Sequence, residues 1–344
     1  MDDDVAAVTD LVRGLWVGLA MRAMVDLRIP DHTREPCPLT DLAGRTGCPP
    51  RQLTRLLATL RDAGLVDGDD DDGWQATSLG LVLASDHPTG LHRRLTSRTW
   101  PPTLAAWSHL SEALVEDQRT FGRPVEATQG ESFWEAMNRN PLELETFNAT
   151  MAGRGRDQAA SLLEATDVAE VGRVVDVGAG RGATLAALLP RVPGLRGVVA
   201  DRPSVLPEAM QNLAEQGLAD RCEVLPADFF DAVPAGGDAY VLGNILHDWP
   251  DDDCLRILSV VRTAMGPHSR LWVLEHVLDP QPPRPARAQA EVHLLDLHML
   301  VLFGGRERTR AEYAALLTAS GFSDPSCTST STGWDVLAAR PLGR

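Results

Sequence analysis

Between residues 170 and 344 the chain alternates strand-like apolar runs with helical stretches, and four of those runs close on a polar signature. Val174-Val175-Asp176-Val177 leads into Gly178-Ala179-Gly180-Arg181-Gly182. GVVADRP closes on Asp201, CEVLPADFF on Asp228 and Phe229, and DAYVL leads into Asn244, Ile245, Leu246 and His247. Alternation of this kind predicts a mostly parallel sheet with helices on both faces, because each parallel pair needs a crossover long enough to hold a helix. Ligands dock on such a sheet outside the carboxyl ends of its strands. The pattern therefore predicts an α/β fold with its chemistry on one rim.

Residues 1 to about 165 show helical periodicity instead, and 344 residues exceed the usual single-domain range. Two domains are expected, 1–165 and 166–344, with the boundary near residues 167–172. In the first, LTDLAGRTG, a break at CPP and RQLTRLLATLRDAG predict two helices joined by a tight turn, and LVDGDDDDGWQATS predicts a hairpin. This winged-helix pattern has two meanings. Arg51, Arg55 and Arg61 on the second helix suit DNA, whereas Asp67 and the four aspartates at 69–72 stand on the wing, where a DNA reader places cations beside phosphates. With 32 basic against 48 acidic residues, a net charge of −16, the molecule repels polyphosphate at long range. A scaffold is expected, with no nucleic-acid partner. The helix at 10–27 carries Leu11, Leu15, Trp16 and Leu19, more apolar surface than one face needs, and predicts burial against a second copy.

All 32 basic residues are arginine. A chain without lysine excludes Walker-type ATPase, kinase and Schiff-base chemistry. No apolar run reaches the roughly 18 residues of a membrane span, and the acidic opening MDDDVAAVTD has the wrong charge for a signal peptide. The five cysteines, at 37, 48, 222, 254 and 327, lack C-x-x-C spacing and are expected to be reduced. A cytoplasmic protein with no membrane contact is the expectation.

The glycine run after residue 177 predicts strand, turn and helix, with backbone that a ligand can approach closely. The glycines alone leave two cofactor classes open, since Gly178, Gly180 and Ala183 also match the dinucleotide pattern. Asp176 separates them. A carboxylate two residues before the first glycine opposes a pyrophosphate and favours a cation, and S-adenosylmethionine carries a sulfonium and an ammonium. Asp201 is spaced to accept hydrogen bonds from ribose hydroxyls in either class. Asp228 and Phe229 offer an adenine a hydrogen bond and a ring face.

His247 falls just past the strand DAYVL, on the same rim as the glycine loop. With an ordinary imidazole pKa of about 6.5 it is mostly neutral at physiological pH, ready to take the proton of a phenol of pKa ~10 as methyl transfer develops. A carboxylate on its other nitrogen would fix the tautomer. The simpler reading of HDWPDDD is a helix start, with Asp248 capping, Pro250 in the first turn and the acids favoured by the helix dipole.

With these elements in this order, the chain resembles the S-adenosylmethionine-dependent O-methyltransferases that include plant caffeic-acid-type enzymes and bacterial natural-product tailoring enzymes. The likeness extends through SFWEAMNRNPLELETFNATMAGRG at 132–155 and DLHMLVLFGGRERT at 296–309. It implies a Rossmann-like class I methyltransferase domain behind a mainly helical, winged-helix-like dimerisation domain, and hence a homodimer. The general base falls on His247, flanked by Glu275 and Glu307, with Asp248 beside it. Cofactor contacts fall on Asp176, Gly178, Gly180, Asp201, Arg202, Asp228, Phe229 and Asn244. The acceptor pocket falls on Met151 and Met299, with Trp134 and Phe147. The donor is S-adenosylmethionine, the by-product S-adenosylhomocysteine, and no metal is expected. Two positions depart from the plant pattern: Gly243 stands where a lysine is usual, and Arg202 where an apolar residue is usual.

The expected reaction is methylation of a phenolic hydroxyl on a small aromatic metabolite, polyketide-like or phenolic, of antibiotic or other secondary metabolism. Three rival readings are weighed beside it. They are a methyltransferase fold turned to hydroxylation or cyclisation, a winged-helix regulator that senses a nucleoside, and a nicotinamide dehydrogenase.

Overall fold

A computed structural model describes residues 2–115, 130 and 133–343. They form two compact units, one of Met1–Leu104 with Met137–Thr150, the other of Ala105–Ala136 with Met151–Arg344.

In the first unit the opening helix, Asp2–Asp26, starts eight residues earlier than its apolar periodicity predicts. Asp2, Asp3 and Asp4 occupy its first turn, where the helix dipole favours negative charge. Leu11 and Trp16 are 79% and 70% exposed, while Met24 near the other end is fully buried. Helices Leu39–Thr46 and Pro50–Asp62 follow, then the antiparallel pair β1 (Val66–Asp69) and β2 (Gly73–Ala76). Leu53, Leu57 and Leu60 repeat at helical spacing and bury with Leu42, Ile29 and Trp74. On the wing, the Asp69 carboxylate accepts the amides of Asp71 and Asp72, so the acids close their own turn. Arg61 lies over the Trp74 ring and donates to Gly68 O, which ties it to the wing.

The second unit is built on a seven-stranded sheet. Its strands are β3 (Arg173–Val177), β4 (Arg196–Asp201), β5 (Cys222–Pro226), β6 (Ala239–Gly243), β7 (Arg270–Glu275), β8 (Ser326–Ser329) and β9 (Asp335–Ala339), ordered β5-β4-β3-β6-β7-β9-β8. The first five in that order are parallel, and β9 and β8 close the edge antiparallel. From β3 the chain winds outward to β4 and β5, then returns to β6 on the other side of β3. That reversal opens a crevice, and Gly178 and Asn244 follow its two strands.

Both faces of the sheet are covered, which is why its parallel strands read as continuous apolar runs. Val174, Val199 and Val241 pack with Ala159, Leu185 and Leu213 on one side. Val175, Val177, Tyr240 and Leu242 pack with Ile257, Leu258, Val261 and Leu316 on the other. β5 stops at Pro226, so Asp228 and Phe229 do not close the strand as expected. Asp228 instead starts a turn in which its carboxylate accepts the Phe230 amide at 2.8 Å, the local bond for which aspartate is favoured in turns. Among the described residues no helix is long and apolar enough to cross a membrane, and all five cysteines are unpaired.

Candidate active site

The glycine loop is anchored before any ligand arrives. Gly178 donates to Ala200 O at 2.8 Å, and Gly178, Gly180 and Gly182 all have φ between 55° and 71°, where a side chain is disfavoured. Asp201 accepts the Gly180 amide on one oxygen and the Arg202 amide on the other, each at 2.7 Å. Each oxygen keeps a lone pair for a further donor. Arg202 reaches this site through its backbone, and it is exposed.

Asp176 is 4% exposed, and its Oδ2 has no hydrogen-bond partner among the described residues. Burial, and then the neighbouring Asp201 charge, push its carboxyl up to about 8. It therefore holds a proton at neutral pH until a cation comes beside it. Across the crevice, Asn244 adopts a left-handed φ of 57° and its Oδ1 is likewise buried without a partner. Asparagine tolerates that conformation better than most residues, and such outliers cluster at functional sites. Phe229 packs edge-on against Phe230 and Trp249.

His247 occupies a short 3-10 turn, Leu246–Asp248, between β6 and the helix Asp251–Ala264. Asp248 does not cap that helix. Pro250 takes the cap position, and three aspartates fill the first turn. The imidazole is 3% exposed, and its Nδ1 lies 2.8 Å from Glu307 Oε1 and 3.6 Å from Glu275 Oε2. Neither glutamate is at the surface: Glu275 is 0% and Glu307 1% exposed. Their tasks differ. Glu275 Oε1 accepts the amides of Ile245 and Leu246, holding the start of the turn, while Glu307 makes the shorter contact with the ring. On the other side of the ring, Nε2 lies 3.4 Å from Asp248 Oδ1.

Burial alone would lower the imidazole pKa. The charges of Glu275, Glu307 and Asp248 outweigh it and raise the group to about 10. The expectation of an ordinary imidazole is thus corrected in direction: the buried carboxylates beside the ring favour its charged form, where the sequence showed only spacing. His247, Glu275 and Glu307 each offer an atom within 4.8 Å of the others, a distance that also suits a metal. Here Nδ1 is already engaged by Glu307 and Glu275 Oε1 by two amides, an arrangement of an oriented imidazole.

Other contributors carried no sequence signal. Gly155 lets the helix Pro141–Ala165 lie against the helix after the glycine loop, since a Cβ there would stand 2.7 Å from the Ala183 carbonyl carbon. One turn on, Gln158 accepts the Thr184 hydroxyl at 2.8 Å. Its amide lies beside Gly243, where a Cβ would come within 2.9 Å of Nε2, so a larger residue at that departure from the plant pattern would have to displace the Gln158 side chain. Of the acceptor-pocket residues, Met299 is buried and Met151 half-buried in the second unit, and Phe147 is half-buried in the first. The Trp134 side chain lies outside the described residues.

A switch-point crevice, a glycine loop tied to an acid, and an imidazole backed by two buried glutamates define a cofactor-dependent transferase, and comparison with known proteins gives its family. Residues 107–323 match the O-methyltransferase domain and residues 9–86 the O-methyltransferase dimerisation domain. The chain belongs to this family of S-adenosylmethionine-dependent O-methyltransferases. It is 38% identical over 318 residues to the mitomycin biosynthesis 6-O-methyltransferase of Streptomyces lavendulae, covering 91% of this chain and 88% of that one. The structure of the mitomycin 7-O-methyltransferase MmcR superposes with a TM-score of 0.90 at 35% identity, over 99% of this chain and 98% of that one. Aclacinomycin 10-hydroxylase RdmB of Streptomyces purpurascens is 33% identical over 329 residues, 94% of this chain and 85% of that one.

Proposed function

We propose that this enzyme methylates a phenolic hydroxyl of a small aromatic natural product, with His247 as the general base. The observation that carries the reading is the buried imidazole, held on Nδ1 by Glu307 at 2.8 Å, on the same rim as the glycine loop. When bound, S-adenosylmethionine supplies a methyl group on a positively charged sulfur, which leaves as the neutral thioether of S-adenosylhomocysteine. Asp201 would accept the ribose hydroxyls, with Gly178, Gly180 and Arg202 shaping that seat. Asp228 and Phe229 would hold the adenine, and Asp176 and Asn244 would face the cationic amino-acid end. His247 Nε2 takes the acceptor proton, and Glu307 and Glu275 stabilise the resulting imidazolium. No metal is called for, because the leaving group is already activated. Met151, Met299, Trp134 and Phe147 are assigned to the acceptor.

We assign residues 1–165 to dimerisation and acceptor-pocket helices and 166–344 to the donor and the base. The exposed Leu11, Leu15 and Trp16 face suits a homodimer; a monomer in sedimentation at micromolar concentration would count against it. Five unpaired cysteines suit the cytoplasm. With its acidic wing and charge of −16, the chain is assigned neither a nucleic-acid nor a membrane partner.

Incubation with methyl-labelled donor and candidate phenols tests the reaction. The expected product gains one labelled CH₂ unit; a gain of oxygen would assign the hydroxylation chemistry named for RdmB instead. Asp201→Ala is expected to weaken donor binding roughly tenfold to hundredfold, the value of hydrogen bonds to a charged group, and unaltered affinity by calorimetry would remove that role. The raised imidazole pKa fixes a sign for pH. A raised pKa frees more of the base as pH climbs, so kcat/KM for a weakly acidic phenol rises from pH 7 upward. A flat profile from pH 7 to 10 would contradict it.

A further inference from the structure

We infer that Arg308 is a positioning residue for the base, the clamp that sets where His247 points. Its side chain is 0% exposed, an unusual place for a guanidinium. Its donors go to the turn that carries the histidine. Nη1 donates to Leu246 O at 2.9 Å and Nη2 to Trp249 O at 2.8 Å, the carbonyls on either side of His247 and Asp248. The same group is fixed from behind by Asp251, whose Oδ1 accepts from Nε at 3.0 Å and Nη2 at 2.7 Å, and it stands over the Tyr313 ring.

The geometry needs a planar fork. Two carbonyls three residues apart in the chain are held by one rigid group, which an ammonium on a flexible stem cannot reproduce. Cys254 Sγ also lies 3.2 Å from Leu246 O and 3.4 Å from Trp249 O, but a thiol has one weak donor for the two. The Arg306 amide donates to His247 O at 2.9 Å, and the Arg306 guanidinium shares Asp251 with Arg308, so the segment after Gly305 wraps the turn at three points. Arg308 thus acts through His247 and not on the substrate.

This assignment rests on the reading of His247 as the base, and a double-mutant cycle separates the two. Arg308→Lys, assayed as the full-length enzyme with saturating donor, is expected to lower kcat roughly tenfold to hundredfold, the effect of an ångström-scale misplacement. Donor affinity and acceptor KM stay near their original values. In a His247→Ala background the same substitution adds no further loss, whereas a merely structural role would add its loss in both backgrounds. Unchanged kcat in a folded Arg308→Lys, or an additive cycle, overturns the proposal. Normal turnover in His247→Ala alone overturns the base reading instead. Should Arg308→Lys fail to fold, Asp251→Asn loosens the clamp from the half-exposed side and is judged by the same cycle: a several-fold, non-additive loss supports the assignment and none overturns it.

Discussion

His247→Ala is expected to reduce turnover by about 10²- to 10⁴-fold, the usual contribution of a positioned general base, while donor affinity measured by calorimetry stays where it was. The split follows from placement. The imidazole lies past β6 with its Nδ1 on Glu307, whereas the assigned donor contacts other than Asn244 stand in or after β3, β4 and β5. Removing the ring also leaves Glu275 and Glu307 without the cation between them, so this variant loses stability as well; breaking a buried pair costs about 3–5 kcal/mol. His247→Asn keeps a donor toward Glu307 and separates lost chemistry from lost folding. The same turnover loss is expected there, and a near-normal rate in either folded variant would reject His247 as the base.

Gly305→Ala is expected to be nearly as damaging, although alanine suits its backbone. A Cβ at Gly305 would overlap His247 O and stand 2.6 Å from the Asp248 carbonyl carbon and 2.9 Å from Asp248 Cα. These are backbone atoms that no rotamer change can move aside, so the turn or the segment 304–308 must shift. A shift of that size at the base is expected to lower kcat about 10²-fold. The neighbouring residue supplies the control. Gly304 ends the helix Ala286–Phe303 in the left-handed region, with φ of 69° and nothing within 4 Å of an added Cβ. Gly304→Ala should lower stability by roughly 1–2 kcal/mol with little loss of rate. Equal activity in the two variants would show that the close approach at Gly305 does not govern the site.

The rim was legible in the sequence because its parts are local. Strand, glycine turn and helix occupy consecutive residues, and β-propensity with alternation located β4 and β6 to within a residue or two of Asp201 and Asn244. The two helices and hairpin of the first unit were equally local. Four features were not. The opening helix extends to Asp2 because charge at its first turn adds to a pattern that hydrophobic spacing alone could not detect. The protonation of His247 is set by residues 28 and 60 positions away, brought beside it by β7 and by the segment after Gly305. Nothing in the sequence marks Arg308; burial does, since a charge removed from water must find its partners inside, and its partners are backbone carbonyls and Asp251. The Gln158 amide beside Gly243 likewise depends on two segments some 80 residues apart, which no single-sequence periodicity relates.

The transfer of the acceptor proton to His247 is tested most directly by varying the acidity of the acceptor. Single-turnover methyl transfer would be measured near pH 7.5 for the unaltered enzyme and for His247→Asn, with a series of substituted phenols ranging from a pKa of ~10 down to ~6. A weakly acidic phenol needs the base, and the rate ratio between the two proteins is expected at about 10² or more. An acidic phenol arrives already ionised, and for it the ratio should fall toward one. A ratio that stays constant across the series would mean that the imidazole does not take the proton.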